Sequence, residues 1–226
     1  MTIKRTRREA LIALGGLGAG AVALQAARAG AIFAGEPALA ATTCTLAPEV
    51  TEGPYWIANH LTRRDITEGK AGIPLSLHLT VVDATTCKPI KGADVELWHA
   101  DASGVYSDVQ GNTKTFLRGH QRSDANGRVV FHTIYPGWYR GRTPHIHLKV
   151  HVGGSVVHTG QVFFRDAVSD AVYRTSAYRS HGQADTTNAR DNIYAQAGGS
   201  HALLKLTKRS SGKGYVGAIT LGVHRS

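Results

Sequence analysis

The chain has 226 residues, enough for one domain with a sizeable hydrophobic core. Its formal net charge is +10, of which the first 30 residues supply +4. The other basic residues are scattered, without a Lys/Arg run or alternation of basic and aromatic residues, so we expect no nucleic-acid partner.

The first 41 residues have the composition of a targeting segment. A basic start, Met1–Arg8, precedes an uncharged apolar run at 10–27, and small residues then follow in an Ala-x-Ala pattern. The segment Thr6-Arg-Arg-Glu-Ala-Leu11 resembles a twin-arginine signal, although Ala10 stands where a large apolar residue is common. Glycines interrupt the run, which barely reaches the length of a spanning helix, so we expect no stable membrane anchor. We predict a cleavable signal peptide in residues 1–41, export to the periplasm or the exterior by the twin-arginine route, and a mature domain at 42–226.

Two cysteines, Cys44 and Cys87, both lie in the predicted exported part. An even pair in an oxidising compartment favours one disulfide. That bond would tie the N-terminal arm to the first hairpin. The alternative is two unpaired thiols.

Alternating apolar residues in short runs predict an all-β protein. Residues 42–72 form an extended arm in this interpretation, because Gly53-Pro54 opposes both helix and strand. Asn126-Gly127 predicts a hairpin, Gly153-Gly154 a tight turn, and the polar stretch 165–194 loops with a short helical turn. The predicted strands are 73–83, 93–99, 128–134, 143–152, 156–164, 202–207 and 214–223. We therefore predict a single β-sandwich core with long loops and little helix.

A His-x-His pair stands out on one predicted strand. His145 and His147 share a face, with Lys149 and His151 continuing the row. Residues at i and i+2 of a strand point the same way, so both imidazoles could reach one metal ion. The same pattern also describes a strand with one face in water.

The residues before this pair suggest the other ligands. The loop supplies Tyr139, Arg140 and Arg142 but no acid. A phenolate is a hard donor, and only a strong Lewis acid would keep it ionised at neutral pH, given a free pKa near 10. Two tyrosines and two histidines around ferric iron form a coherent site. A His-x-His site for copper or zinc is another interpretation.

Four motifs resemble those of the intradiol ring-cleaving dioxygenases, a family that includes catechol, hydroxyquinol and protocatechuate dioxygenases. The resemblance runs from about Glu52-Gly-Pro-Tyr55 to Phe164, about half of the chain. The motifs are Val95-Glu-Leu-Trp-His-Ala-Asp-Ala-Ser-Gly-Val-Tyr-Ser107, Pro136-Gly-Trp-Tyr139, Arg142-Thr-Pro-His-Ile-His147 and Gln161-Val-Phe-Phe164.

The resemblance implies a role for each residue in these motifs. Tyr106, Tyr139, His145 and His147 would bind one Fe(III) per chain, with Tyr139 leaving when substrate binds. Arg142 and Gln161 would stabilise and hold the substrate. Pro54 and Tyr55, with Trp56, would line its pocket. Tyr135, a rival to Tyr139, is interpreted as a packing residue, and His99 is expected to pack beneath the site.

The implied activity is insertion of both atoms of O2 into a catechol-type diol. Cleavage falls between the two hydroxyl-bearing carbons and gives a cis,cis-muconate-type product. The implied partners are therefore a small aromatic diol and O2, with assembly into a homo-oligomer left open. The chain departs from catechol dioxygenases because only a short arm stands where they carry a long helical dimerisation region. The alternative is an exported transthyretin-like β-sandwich binding module without catalysis, which would need none of the four ligands.

Overall fold

The computed structural model describes residues 44–109, 111 and 113–225, so the predicted signal peptide lies outside it. The described part is a sandwich of two four-stranded sheets. In chain order the strands are β1 Pro74–Asp83, β2 Asp94–Trp98, β3 Arg118–Arg122, β4 Arg128–Ile134, β5 His145–Val152, β6 Ser155–Phe163, β7 Lys205–Lys208 and β8 Tyr215–Val223. One sheet has the order β4-β1-β8-β7 and the other β3-β2-β5-β6. The predicted β-sandwich is confirmed.

The little helix present lies between β6 and β7. The α-helices are α1 Asp166–Tyr173 and α2 Asn192–Gln196, and the 3₁₀ turns are Asn188–Arg190 and Gly199–Ala202. Of the helices in the described ranges, none is long and apolar enough to cross a membrane.

The core forms where alternating apolar rows of the two sheets face each other. On β1, the alternating residues Leu75, Leu77, Leu79 and Val81 are buried. On β5, the inward residues Ile146, Leu148 and Val150 are equally buried. The outward residues of β5 are also buried as far as Lys149, because the N-terminal arm covers that face. The His-x-His pair therefore faces the N-terminal arm and not bulk water.

Two turns join consecutive strands that lie in different sheets. The Asn126-Gly127 turn forms, with Gly127 at φ 72°, but β3 and β4 then enter different sheets because β4 pairs with β1. The predicted hairpin is therefore wrong. The turn after β1 folds back only as far as a bridge between Val82 and Pro89 before the chain crosses to β2. Gly153-Gly154, by contrast, closes the β5–β6 hairpin with positive φ at both glycines, as a tight hairpin turn requires.

A disulfide joins Cys44 to Cys87, with the two Cα atoms 5.3 Å apart. It links the start of the described arm to the turn that follows β1, not to a two-stranded hairpin within one sheet.

Candidate metal centre

Four side chains from three segments meet on the outer face of the sheet that contains β5. His145 and His147 stand at the start of β5. Tyr106 comes from the loop after β2, and Tyr139 from the loop between β4 and β5. The structure thus brings together all four residues predicted to bind the metal.

Their donor atoms lie at separations suited to one shared ion. The Nε2 atom of His145 is 3.1 Å from Nε2 of His147, 3.2 Å from Oη of Tyr139 and 3.5 Å from Oη of Tyr106. The Nε2 atom of His147 is 3.1 Å from Oη of Tyr106. Ligands about 2.0–2.1 Å from a common metal, seen at angles near 90–110°, are separated by about 2.9–3.4 Å. The set therefore converges as a coordination shell would.

Two glycines allow the tyrosine loops to approach each other. A Cβ on Gly137 would lie 2.1 Å from the Asp101 carbonyl oxygen, and one on Gly104 would lie 2.2 Å from that of Trp138. The Gly137 amide donates to the same Asp101 oxygen at 3.1 Å. Backbone packed this closely to backbone fixes the spacing of Tyr106 and Tyr139.

Both imidazoles are prepared to act as neutral ligands. The Nδ1 atom of His145 donates to the Thr143 carbonyl at 2.7 Å, which leaves the lone pair on Nε2. Burial, aided by the charge of Arg142, lowers the pKa of His145 to about 3. Burial also lowers the pKa of His147 well below its usual value. Trp98 stacks on His147, with ring centroids 4.9 Å apart and planes 11° from parallel, and so holds its orientation.

The two phenols need a cation to ionise here. Burial raises the pKa of Tyr106 well above that of an ordinary phenol, and the pKa of Tyr139 is raised for the same reason although Arg142 opposes the shift. A bound ion of high charge reverses this preference. Among the described residues, no three His, Cys, Asp or Glu side chains are grouped so as to hold a metal ion. The tyrosines therefore complete the donor set, and that set fits ferric iron.

Arg142 and Gln161 border the metal-binding residues directly. Arg142 donates from Nη1 to Oη of Tyr139 at 3.2 Å and from Nη2 to Oε1 of Gln161 at 2.6 Å. Gln161 in turn donates to the Thr51 carbonyl of the arm at 3.0 Å. A fixed positive charge thus stands beside the partly exposed Tyr139.

The N-terminal arm lies across the site. Tyr55 stacks on Tyr106, with ring centroids 4.3 Å apart, and meets Tyr139 edge-on at 5.6 Å. The chain passes so close to His147 that a Cβ on Gly53 would lie 3.3 Å from its ring. Pro54 is exposed next to this contact. Tyr55 therefore lies against the two tyrosines, whereas Pro54 stands at the outer edge.

The two residues interpreted as packing residues are buried, and their polar atoms bond to groups other than the four donors. Tyr135 shares a hydrogen bond of 2.7 Å with Ser169. His99 donates from Nδ1 to the Ala100 carbonyl at 2.8 Å and accepts from Thr133 at Nε2 at 2.7 Å.

Sequence reasoning missed Asp191 and the ring contact made by Trp98. Asp191 bonds to Arg142 from 49 positions further along the chain. The one local signal is that an Asp before Asn192-Ile193-Tyr194 suits a helix N-cap, which says nothing of Arg142. Trp98 lies within the motif at 95–107, but only the β2–β5 register places it beside His147.

Comparison with known proteins assigns this fold and site to a class. A family model described as Dioxygenase matches residues 51–173, more than half of the chain. The chain belongs to the intradiol ring-cleavage dioxygenase family. An intradiol ring-cleavage dioxygenase from Tetranychus urticae is 37% identical, with a TM-score of 0.76, over 80% of this chain and 95% of that one. The dioxygenase domain of a carbohydrate-binding fusion protein from Streptomyces is 29% identical, with a TM-score of 0.62, over 80% of this chain and all of that one.

Curated relatives match over a shorter stretch. Catechol 1,2-dioxygenase 1 of Acinetobacter lwoffii is 36% identical over 100 residues, 41% of this chain and 32% of that protein. A hydroxyquinol 1,2-dioxygenase of Nocardioides simplex is 36% identical over 75 residues, 33% of this chain and 25% of that protein. The match thus spans at most about a third of these relatives. Family membership and the four-donor site together leave the binding-module alternative without support.

Proposed function

We propose that the protein is a ferric, non-haem intradiol dioxygenase acting on a catechol-type aromatic diol. Both atoms of O2 enter the product, and the bond between the two hydroxyl-bearing carbons breaks to give a cis,cis-muconate-type diacid. One observation carries the proposal: two phenol oxygens and two imidazole nitrogens converge at 3.1–3.5 Å beside a fixed arginine. Family membership sets the reaction class.

In this proposal Tyr106, Tyr139, His145 and His147 hold one Fe(III) per chain. When bound, the iron supplies the Lewis acidity that keeps phenolates and diol ionised and that draws electron density from the ring. Tyr106 is 3% exposed and packs under Tyr55, so it stays in place. Tyr139 is partly exposed, so it can turn away and accept a diol proton on Oη as substrate arrives.

Arg142 acts electrostatically. Its Nη1 atom already donates to Oη of Tyr139. When that tyrosine moves, the same donor is available to negative charge that develops on the bound ring or its oxygens. Gln161 holds the guanidinium from the other side through Nη2. Tyr55 forms a flat wall of the ring pocket, and Pro54 marks its rim.

The proposal is tested by the visible absorption spectrum of the purified protein, recorded before and after catechol is added without oxygen. Two tyrosinates on ferric iron give a red-brown charge-transfer band, which moves to longer wavelength when the diol displaces Tyr139. Admission of O2 should then yield one ring-opened diacid per diol. A colourless protein with stoichiometric zinc, or one that binds no iron on reconstitution, would refute the proposal.

We also propose export of the mature domain, by the twin-arginine route. The support is the signal-like composition of residues 1–41 together with the Cys44–Cys87 disulfide, since such bonds persist in oxidising compartments. A reporter fused after residue 41 should be exported, and replacing Arg7 and Arg8 by lysine should retain it in the cytoplasm. Export that persists in that variant would contradict the route.

A further inference from the structure

Asp191 is the residue that holds Arg142 from behind. Its Oδ2 accepts from Nε of Arg142 at 2.8 Å and from the Thr143 amide at 2.9 Å. Its Oδ1 accepts from the amides of Ile193 at 2.8 Å and Tyr194 at 3.2 Å, which caps α2. The side chain is 1% exposed, so both oxygens are fully engaged by protein donors.

This carboxylate fixes the orientation of a planar group. A guanidinium presents its donors in a rigid fork, so fixing one edge determines where the others point. Asp191 occupies the Nε edge, while Nη1 faces Oη of Tyr139 and Nη2 faces Oε1 of Gln161. The direction of Nη1 towards the metal-binding residues is thus set from the far side of the arginine.

Asp191 also places a negative charge beside Arg142, near the metal-binding residues. Burial raises the pKa of Asp191, but hydrogen bonds from Arg142 and Thr143 outweigh it, so the net pKa lies below the ordinary value. An ionised partner offsets the positive charge of Arg142, which would otherwise stand unpaired beside a ferric ion. Breaking a buried pair leaves an uncompensated charge, which is costly.

We propose that Asp191 is a positioning residue for ring cleavage, an inference that rests on the function proposed above. Asp191 aims Nη1 of Arg142 at the charge that develops on the diol, and it does not touch the diol itself. It comes from the segment after residue 173, beyond the match to the family model. The C-terminal part of the chain therefore contributes to the chemistry, and not only to closing the sandwich.

The primary test is Asp191→Asn. Asparagine has the same shape and remains a good N-cap, but if its oxygen caps α2 its NH₂ group faces two donors, Arg142 Nε and the Thr143 amide. We expect kcat per bound iron to fall about 10- to 100-fold, as for lost supporting contacts at metal sites. KM, iron content and anaerobic catechol affinity should stay within about threefold of the wild-type values. A fall in kcat without a change in binding is expected when the lost interaction forms chiefly in the transition state. Without turnover, the tyrosinate band should also shift, because Arg142 donates to Tyr139.

Two further variants separate positioning from structure. Asp191→Ser keeps a capping hydroxyl but is too short for Arg142, and it should resemble Asp191→Asn in kcat. Asn188→Ala is the matched control, since Asn188 accepts from Thr143 Oγ1 at 2.7 Å and donates to the Phe164 carbonyl at 2.8 Å without contacting Arg142. It should lower the melting temperature while leaving kcat per iron within about threefold, as expected for a site outside the reacting groups.

The outcomes distinguish the two proposals. If wild-type protein turns over catechol and Asp191→Asn retains full kcat per iron, the positioning role is wrong. It is equally wrong if Asp191→Asn and Asn188→Ala change only stability, to a similar extent, or if Asp191→Asn loses iron or catechol affinity alone. A wild-type protein without an iron–tyrosinate band would refute the proposed function and this inference together.

Discussion

At the level of single residues, burial sets the protonation of the metal-binding side chains. It keeps both histidines neutral and the phenols protonated until a cation compensates them. Exposure then separates the two tyrosines, because Tyr106 is buried under Tyr55 whereas Tyr139 reaches the surface. The sequence identified the residue types through motif resemblance, but this difference in exposure depends on the arm.

The two tyrosines should respond differently to loss of the hydroxyl. Tyr139→Phe should keep most of its iron, because the lost hydroxyl belongs to the partly exposed ligand that leaves when substrate binds. Its charge-transfer band should respond far less to anaerobic catechol, and kcat should fall at least about tenfold. Tyr106→Phe should lose the more deeply buried ligand and bind iron about 10- to 100-fold more weakly, by analogy with other lost metal contacts. Iron analysis and visible titration measure both effects. Identical behaviour of the two variants would contradict the assigned roles.

His99 should give the fold a specific acid sensitivity. Burial lowers its pKa from 6.5 to about 4. As the pH falls below about 6.5 the unfolded chain takes up a proton that the folded chain does not, so stability is lost between pH 6.5 and 4, by up to about 3 kcal/mol.

His99→Gln should therefore reduce the loss of stability between pH 6.5 and 4. The variant loses about 1 kcal/mol or more at pH 7.5 through the altered hydrogen bonds, yet its stability should decline less than that of wild type towards pH 4.5. Urea unfolding at several pH values measures the difference. Parallel pH profiles would show that His99 does not titrate as expected.

At the level of elements, the N-terminal arm is held by Lys149 of β5 and by Glu96, the residue opposite it on β2. Lys149 is 6% exposed, lies 3.6 Å above the Trp56 ring and pairs with Glu52 at 2.5 Å. Glu96 accepts from Nε1 of Trp56 and from Asn59, both at 3.2 Å. The alternating pattern predicted that Lys149 shares a face with the histidines, but it could not show that this face is covered.

Lys149→Met tests whether the Lys149 ammonium keeps the N-terminal arm docked on the sheet. The variant keeps the aliphatic stem and loses the charge, so we expect a loss of about 1–2 kcal/mol of unfolding free energy and faster proteolytic cleavage within residues 52–60. The exposed Lys88 provides a matched control as Lys88→Met. Equal protease resistance in both variants would mean that the ammonium contributes nothing to arm docking.

At the level of the whole molecule, strand positions were largely predictable, whereas strand pairing was predictable only at the β5–β6 hairpin. Alternation located β1, β2, β4, β5, β6 and β8 within about two residues, because each places an apolar row in the core. β3 was missed because its sequence, Arg-Gly-His-Gln-Arg, has no apolar alternation. Its Arg118 is buried against Ser107, a contact made only in the tertiary structure. The hairpin prediction at Asn126-Gly127 failed for a related reason, since turn chemistry does not determine which sheet the next strand joins.

The disulfide should contribute strongly to global stability. It closes a loop with a sequence separation of 43, for which loop-closure entropy gives about 4 kcal/mol. The double variant Cys44→Ser/Cys87→Ser should melt on the order of 10 °C lower than wild type. Reductant should lower the melting temperature of wild type towards that value and leave the variant unchanged. If reductant also lowered the melting temperature of the variant, its effect on wild type could not be assigned to the disulfide.

The parallel pairing of β1 with β8 couples the two ends of the described domain. Leu75 lies opposite Tyr215 and Asp83 opposite Val223, so the inner strand of one sheet gains its second neighbour only from the end of the chain. A chain that stops before Tyr215 still contains every metal-binding residue. It also leaves the Pro74–Asp83 edge unpaired, a ready template for pairing with another such chain. Premature termination or C-terminal trimming would therefore appear as aggregation, not as a soluble protein with a defective catalytic site.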